Sequence, residues 1–254
     1  MKTKTNVNPN LETTLQEVLA ALQENRSAAV SSETSPEKTG DPSCALCRLS
    51  QRSVRRTLRD LFSEFVNDPP LRVRIRAARG FCRSHLPLIV DSGDALGIAI
   101  LTHDLADETL QNWGERDFRL DKNSGSNASD FRSRLASFFA SGTSPSAKTE
   151  CLLCETEKEA DTRYASALAA GLSRPEVWES CLSNREFCVR HVEMLVSLAR
   201  PPERERLIQL ETEHLTRLKN ELEEFIRKND YRFREEPMGE EGDSWRRALL
   251  KLNS

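Results

Sequence analysis

Two copies of one motif decide how this chain folds: Cys44-Ala-Leu-Cys47 with Phe81-Cys82-Arg-Ser-His85, and Cys151-Leu-Leu-Cys154 with Phe187-Cys188-Val-Arg-His191. The gap between Cys47 and Cys82 is 34 residues, and the gap between Cys154 and Cys188 is 33 residues. Each copy offers three thiolates and one imidazole, a complete tetrahedral ligand set for structural zinc. The sequence therefore predicts two zinc ions per chain, one in each copy. The predicted ligands are Cys44, Cys47, Cys82, His85, Cys151, Cys154, Cys188 and His191.

Other metal and redox chemistries fit the motif less well. A thioredoxin-like site needs a βαβ context, which is missing here. Haem attachment needs a histidine directly after the second cysteine, where this chain has Arg48 and Glu155. Catalytic zinc keeps a coordination position open, whereas each copy supplies four ligands, so we predict no enzyme. An iron–sulfur cluster or a metal-free redox pair remains as the alternative.

The remaining cysteine and histidines are not predicted to be ligands. Cys181 is expected to be a packed core thiol, because buried cysteines behave as small hydrophobic residues. His103 and His214 fall on predicted helices and are expected to be ordinary surface or groove residues.

Composition limits the class of protein. The chain has 254 residues, is 37% hydrophobic and only 6% aromatic, and carries a net charge of −3. Metal crosslinks would help cores of this modest size. The N-terminus lacks the apolar region of a secretory signal, and residues 86–106 are too polar to span a bilayer. Paired Cys-x-x-Cys motifs with an odd cysteine count indicate a reducing, cytoplasmic location.

The hydrophobic pattern predicts an all-α protein, because a 3.6-residue period dominates and no alternating strand pattern stands out. We expect two pseudo-repeated helical zinc-binding units joined by a flexible linker and packed into one assembly. The predicted organisation is a mostly disordered arm (1–43), a first unit (44–120), a linker (121–150), a second unit (151–230) and a C-terminal strap with a short helix (231–254). The predicted helices cover 46–66, 70–79, 84–90, 94–116, 152–171, 175–184, 188–199, 203–229 and 243–252, with a further short run at 131–140.

Local signals fix several helix ends. Asp94 is a predicted N-cap, Gly80 a predicted left-handed helix terminus, and Pro87 fits a first helical turn. The helix at 203–229 carries a seven-residue row of Ile208, Leu215 and Leu222 and a second row of Leu218 and Phe225. This seam is expected to pack within the chain, with a dimer as the alternative.

Charge is distributed unevenly between the copies. Residues 48–83 contain ten arginines and three acids, whereas residues 151–191 contain seven acids and five bases. An arginine-rich face can bind phosphate or nucleic acid, but no aromatic residues interleave with it as a base-stacking surface requires. We expect these arginines to pair with acids elsewhere in the chain, such as those at 221–224 and 235–243, and keep nucleic acid as the alternative.

The C-terminal strap has two possible roles. Tyr231, Phe233 and Trp245 are expected to pack over the helical core. Alternatively, the strap forms a polar pocket or docking surface from Arg234, Glu235, Glu236, Arg246 and Arg247.

The chain resembles an uncharacterised family of bacterial proteins. The resemblance rests on the Cys-x-x-Cys start, Val66-Asn-Asp-Pro69, Gly80-Phe-Cys-x-x-His85, the second copy, and the tail from Phe233 to Arg247. It covers most of residues 44–252 apart from the linker and implies no established activity. The second copy departs from the first by having Glu186 where the first has Gly80. No Walker-type phosphate loop is present.

The sequence as a whole favours a non-catalytic double-zinc helical interaction module or adaptor with an unidentified protein partner. A redox- or zinc-responsive regulator is the second hypothesis, in which oxidation of the thiolates releases zinc. Nucleic-acid binding through the arginine-rich unit is the third.

Overall fold

The computed structural model describes residues 9–30, 44–115, 150–182, 187–233 and 235–253. Every element in these ranges is helical and no described residue lies in a strand, which confirms the predicted all-α class. The helices are α1 (Pro9–Val30), α2 (Ala45–Asp60), α3 (Pro69–Ala77), α4 (Leu86–Asp91), α5 (Ala95–Glu115), α6 (Leu152–Gly171), α7 (Pro175–Leu182), α8 (Val189–Leu198), α9 (Pro201–Lys228) and α10 (Ser244–Leu252). A π-helical turn, Leu61–Phe65, extends α2, and short 3-10 turns lie at Tyr231–Phe233 and Glu240–Asp243.

The predicted helix ends follow from local hydrogen bonds. Asp94 accepts the N–H of Gly97 at 2.9 Å, which confirms it as the cap of α5. Pro87 lies in the first turn of α4, where the backbone needs no donor. After α3 the N–H of Gly80 bonds the carbonyl of Ile75 at 2.8 Å, and Gly80 has φ 90°. The left-handed turn begins one residue before the predicted glycine, because Arg79 has φ 58°.

The first compact unit comprises Met1–Val54 and Thr156–Ser254. Its core is built from α1, the start of α2, and helices α6 to α9. Helix α1 packs against α7, and α9 lies along α8 and α10. Leu218 of α9 is buried as the seam predicts, while Ile208 is 48% exposed.

The second compact unit comprises Arg55–Glu155. Helices α3 and α5 pack against each other. Arg72 of α3 reaches the carboxylate of Asp104 on α5 with its Nε 2.6 Å from Oδ2. The buried apolar side chains of this unit include Leu58, Leu61, Ile75, Ile89 and Leu101.

The predicted disordered arm contains an ordered helix that contributes to the core. Leu15, Val18 and Leu22 are at most 2% exposed. Their spacing of three and four residues places them on one face of α1, which explains why that helix is held by the first unit. Residues 1–8, 31–43 and 116–149 lie outside the described residues. The last of these stretches includes all of the predicted linker (121–150) except Glu150, and with it the predicted helical run at 131–140.

The compact units do not follow the two sequence copies. The predicted units, 44–120 and 151–230, each began at a Cys-x-x-Cys motif. In the structure, the boundaries between the compact units fall within α2, after Val54, and within α6, after Glu155. Each of these long helices therefore has its first residues in one unit and its later residues in the other.

Candidate metal centres

The structure brings all eight predicted ligands into two clusters that could each hold a metal ion. One, here called the Cys44 cluster, contains Cys44, Cys47, Cys188 and His191. The other, the Cys82 cluster, contains Cys82, His85, Cys151 and Cys154. Within each cluster the ligand atoms lie within 4.8 Å of one another.

The pairing predicted from the sequence is wrong, because each cluster combines the Cys-x-x-Cys of one copy with the Cys-x-x-His of the other. Helix α2 and its π-helical turn carry the chain roughly 30 Å away from Cys44 at about 1.5 Å per residue. Helix α3 has nine residues and spans about 13 Å at the same rise. Long helices therefore separate the ligands of one sequence copy, and each cluster is completed by residues of the other copy.

The Cys44 cluster has the dimensions of a tetrahedral site. The Sγ atoms of Cys47 and Cys188 are 3.7 Å apart. His191 Nδ1 lies 3.6 Å from Cys44 Sγ, 3.3 Å from Cys47 Sγ and 3.0 Å from Cys188 Sγ. Zinc bonds of about 2.3 Å to sulfur and about 2.0 Å to nitrogen place tetrahedral ligands about 3.5–3.8 Å apart, so these separations are close to those that zinc requires.

The Cys82 cluster has similar dimensions. Cys82 Sγ is 3.4 Å from Cys154 Sγ and 3.1 Å from His85 Nδ1. The same nitrogen lies 3.5 Å from Cys154 Sγ and 4.0 Å from Cys151 Sγ. All seven cysteines of the chain are free thiols, so neither cluster is a disulfide.

Helix starts position most of the ligands. Cys44 and Cys151 directly precede α2 and α6, and their carbonyls accept the N–H groups of Arg48 and Glu155 at 3.1 Å. Cys188 and His85 occupy the N-cap positions of α8 and α4. Ligands three residues apart on one helical turn face the same side, and the free N–H groups of a helix start favour thiolate over thiol.

Sequence reasoning missed a set of polar residues around His191. Its Nε2 lies 3.0 Å from Oδ1 of Asp161, and the carboxylate of Asp161 also accepts hydrogen bonds from Ser50 and Arg190. Asp161 is 2% exposed and His191 is fully buried. Metal-binding histidines commonly donate their second ring nitrogen to a carboxylate, which fixes the tautomer and the ring orientation. Asp161 lies ten residues after Cys151 in the sequence, and that spacing alone does not mark it as a partner of His191.

The charges of this set fit a bound cation. Burial alone would raise the pKa of Asp161, but hydrogen bonds from His191 and Ser50 lower it. Hydrogen bonds with Cys188 and Cys44, together with burial, raise the pKa of Cys47. Without a bound cation, ionisation of several thiols in this cluster is therefore unfavourable. A divalent metal would stabilise the thiolates.

In the Cys82 cluster the pKa values of two thiols shift in opposite directions. Burial opposes ionisation of Cys82, but a hydrogen bond from Cys154 and the backbone N–H groups of His85 and Ser84 lower its pKa. Burial and the neighbouring Cys82 raise the pKa of Cys154 to about 12. Cys82 therefore ionises more readily than Cys154.

A C-terminal contact supports the Cys44 cluster. Lys251 of α10 is largely buried, and its Nζ lies 2.8 Å from the carbonyl oxygen of Phe187, the neighbour of Cys188. The same Nζ lies 2.9 Å from a carboxylate oxygen of Glu211 on α9. Helix α10 thus contacts the backbone directly beside the predicted ligand Cys188.

The residues not predicted as ligands lie outside both clusters. Cys181 is 2% exposed, and burial raises its pKa to about 12, as expected for a core thiol. The His103 side chain is 73% exposed and that of His214 is 12% exposed, which agrees with the surface and groove positions predicted for them. Glu186, which stands where the first copy has Gly80, lies outside the described residues.

Several arginines of the arginine-rich segment form ion pairs, but with different acids from those expected. Arg72 and Arg76 both contact Asp104, and Arg74 lies 2.6 Å from Glu155. Arg52 pairs with Glu24 at 2.6 Å. Arg48 is buried and donates to the carbonyl of Ala21 at 2.7 Å. These residues serve helix packing, which favours the structural interpretation of the segment.

The predicted packing of the C-terminal aromatics is wrong for two of the three. Tyr231 is 84% exposed and Trp245 is 50% exposed. Phe233 is half-buried beneath the guanidinium of Arg227, 4.6 Å from its ring centre. Charge pairs rather than aromatic burial hold the strap, because Lys228 contacts Glu241 at 2.7 Å while Arg227 contacts Glu224 at 2.7 Å and also Glu236.

Comparisons with known proteins agree with the resemblance seen in the sequence. Among the described residues, none of the helices is both long enough and apolar enough to cross a membrane. No solved structure matches the chain. A curated relative, an uncharacterized 23.9 kDa protein in the xynA 3' region of Caldicellulosiruptor sp. (strain Rt8B.4), is 27% identical over 192 residues, covering 74% of this chain and 83% of the relative. A family model described as "Family of unknown function (DUF6062)" matches residues 37–254, and the chain belongs to that family.

Proposed function

We propose that this protein is a non-catalytic helical interaction module whose two Cys3His clusters hold structural zinc. The observation that carries the proposal is that both clusters present four protein ligand atoms within 4.8 Å of one another, three sulfurs and one nitrogen each. Structural zinc sites are closed in this way, whereas catalytic sites leave a position for water or substrate. Each bound ion would supply a crosslink between distant helices.

The groups around the clusters would stabilise the negative charge of a zinc-bound site. Three thiolates and one divalent ion carry a net charge of −1, and the N–H groups at the starts of α2, α6 and α8 are suited to that charge. Arg190 and Arg48 add positive charge near the Cys44 cluster, while Asp161 orients His191. The seven free cysteines support a reducing compartment, which we take to be the cytoplasm.

The exposed apolar face of α10 supports a protein partner. Trp245, Leu249 and Leu252 are spaced by four and three residues and are 50%, 56% and 55% exposed. Exposed apolar residues that share one helix face are typical of protein-binding surfaces. The ion pairs of Arg72, Arg74 and Arg76 weaken the nucleic-acid alternative, because those side chains are already engaged.

A redox- or zinc-responsive regulator is the second candidate. It is favoured by the half-buried state of Cys82 and Cys154, since thiolates that solvent can reach are the ones that oxidise.

Elemental analysis of protein purified without added metal tests the main proposal. We expect about two equivalents of zinc, and stripping both with a chelator should reduce helical circular dichroism and abolish cooperative unfolding. Iron with visible absorbance, or no metal at all, would contradict structural zinc. Retention of a cooperative fold after complete removal would contradict the crosslinking role.

A further inference from the structure

A cleft in the second compact unit is lined by the end of α2, the π-helical turn that follows it, and the connection between α4 and α5. Its volume is about 460 Å³, within the ~300–1,000 Å³ typical of small-molecule sites. Leu58, Phe62 and Leu88 give it apolar surface. π-Helical turns are rare and occur frequently at functional sites. None of the eight cluster residues lines this cleft, so it is a candidate site of its own.

Gly97 of α5 allows two of the lining residues to pack closely. A Cβ atom at this position would lie 2.6 Å from Cδ1 of Phe62 and 2.6 Å from Oδ2 of Asp94. Carbon atoms in favourable contact are about 3.5–4.0 Å apart, so any side chain here would displace both residues. The packing of the π-helical turn against α5 therefore sets the shape of this part of the cleft.

Arg55 and Arg59 place two positive charges at the cleft. They are four residues apart on α2 and so lie on the same helix face. Both are exposed, and neither side chain has an ion-pair partner among the residues that the structure describes. A guanidinium presents a planar fork of N–H donors that matches a carboxylate. This pair of arginines is therefore suited to an anionic group of a ligand.

Two carboxylates, those of Asp91 and Asp94, line the same cleft. Asp94 is held in place as the cap of α5, because its Oδ1 accepts the N–H of Gly97 at 2.9 Å. Within the described ranges, neither aspartate forms an ion pair with Arg55 or Arg59. The cleft thus presents positive and negative groups that do not neutralise each other.

We propose that this cleft binds a short peptide with free termini, a zwitterionic ligand with an apolar body. The peptide carboxylate binds Arg55 and Arg59, and its ammonium group binds the two aspartates. Its apolar side chains pack on the leucines and the phenylalanine of the cleft. A purely anionic ligand leaves the aspartates without a cation, and a purely cationic ligand leaves the arginines without an anion. Charge complementarity therefore favours a ligand that carries both charges.

Three matched peptides test the site on the full chain. Trileucine carries both charges, trileucine amide lacks the carboxylate, and N-acetyl-trileucine lacks the ammonium group. Titration followed by ligand-observed NMR measures each dissociation constant. We expect trileucine to bind, and each modification to raise the dissociation constant by about 10-fold, the scale of one hydrogen bond to a charged group.

Two substitutions assign each charge of the peptide to its partner. Arg59→Gln should weaken the binding of trileucine several-fold but have little further effect on trileucine amide, because the same interaction is already absent. Asp91→Asn should behave in the same way towards N-acetyl-trileucine. Arg56→Gln is the matched control, because Arg56 is exposed on the same helix and does not line the cleft. Circular dichroism checks that each variant folds like the unmodified chain.

Several results would overturn the proposal. The first is failure of trileucine to bind in the millimolar range. Equal binding of trileucine and N-acetyl-trileucine would show an anion site, and equal binding of trileucine and its amide would show a cation site. Equal losses from Arg56→Gln and Arg59→Gln would show general attraction to the arginines of α2. The peptide series on the unmodified chain decides the main point even if a variant does not fold.

The peptide site and the proposed structural zinc fail separately. Elemental analysis alone decides whether the clusters hold zinc, and none of the binding results changes that count. A chain that contains no zinc and still binds trileucine in the expected pattern would contradict the zinc proposal while supporting the peptide site.

Discussion

Cys47 and Cys188 are 141 positions apart in the sequence, yet their Sγ atoms are 3.7 Å apart. They come from different copies of the repeated motif. A metal bound between them would therefore close a loop that contains all four residues of the Cys82 cluster. Because the entropy lost on closing a chain grows with loop length, such a crosslink restricts the unfolded chain strongly.

Each cluster takes its ligands from both copies of the motif, and this arrangement predicts how much zinc double variants retain. Cys44→Ser with Cys188→Ser removes two ligands of one cluster, so we expect the protein to retain about one zinc. Cys44→Ser with Cys82→Ser removes one ligand from each cluster and should leave little tightly bound zinc. Elemental analysis after desalting measures both. Pairing within each sequence copy requires the opposite counts, so the comparison decides between the two arrangements.

Loss of a single ligand should destabilise the fold more than an ordinary substitution does. Metal-binding free energy is also folding free energy when the site exists only in the folded state. Cys47→Ser and Cys82→Ser should each lower the free energy of unfolding by more than the ~1 kcal/mol typical of point changes. His103→Ala, whose side chain is 73% exposed, is the control. Chemical denaturation measures the differences, and equal small losses from all three variants would show that the cysteines only pack.

The stability of the C-terminal strap should depend on the ionisation of Glu241. Hydrogen bonds from the backbone N–H of Gly239 and from Lys228 lower the pKa of Glu241 from its ordinary 4.5 to about 2. A carboxyl whose pKa is lower in the folded state contributes stability above its unfolded pKa and loses that contribution as pH falls towards the folded value. The Glu241 contribution should therefore be complete above about pH 5 and should decline from pH 4.5 towards pH 2.

Glu241→Gln is the change that measures this contribution. The difference in melting temperature between wild type and Glu241→Gln should be largest near pH 6–7 and should shrink below about pH 4.5. Taking the difference removes the effect of acid on the metal ligands, which both proteins share. Glu240→Gln, at an exposed neighbouring position, is the control for the substitution itself. A wild-type advantage that is constant from pH 7 to pH 4 would contradict the role of the carboxylate charge.

Two glycines with positive φ should respond differently to alanine. Gly80 has φ 90°, and an added Cβ would lie 2.9 Å from Cδ1 of Leu105. Gly93 has φ 74° and open space around that position. Gly93→Ala should cost roughly 1–2 kcal/mol from backbone strain, and Gly80→Ala about 1 kcal/mol more from crowding. Denaturation midpoints test the order, and equal losses would mean that Leu105 moves aside freely.

Nucleic-acid binding should be weak or absent at physiological salt. Arg72, Arg74 and Arg76 are engaged in ion pairs with Asp104 and Glu155. A phosphate surface needs free cations and produces an affinity that falls steeply with salt. Fluorescence anisotropy with a labelled oligonucleotide between 50 and 200 mM salt tests this expectation. A tight, salt-sensitive complex that is lost when these three arginines are replaced would support nucleic-acid binding instead.

The sequence by itself determined the all-α class of the fold and the eight cysteines and histidines that the structure gathers into two clusters. Helix positions follow from short-range signals, such as the cap at Asp94 and the prolines that start α4 and α9, and these depend only on neighbouring residues. Thiols and imidazoles spaced three residues apart likewise suggest ligands without reference to the rest of the chain. The sequence also shows an amphipathic run from Leu11 to Leu22, but the polar stretch that follows it favours the prediction of a mostly disordered arm.

Only the tertiary structure decided which ligands meet. The pairing depends on how the helices between the motifs pack, and this is a property of dozens of residues together rather than of either motif. It also decided that Asp161 lies 3.0 Å from Nε2 of His191, since the two residues are on different helices. Contacts between helices arise from packing of the whole core, and no local pattern in the sequence encodes them.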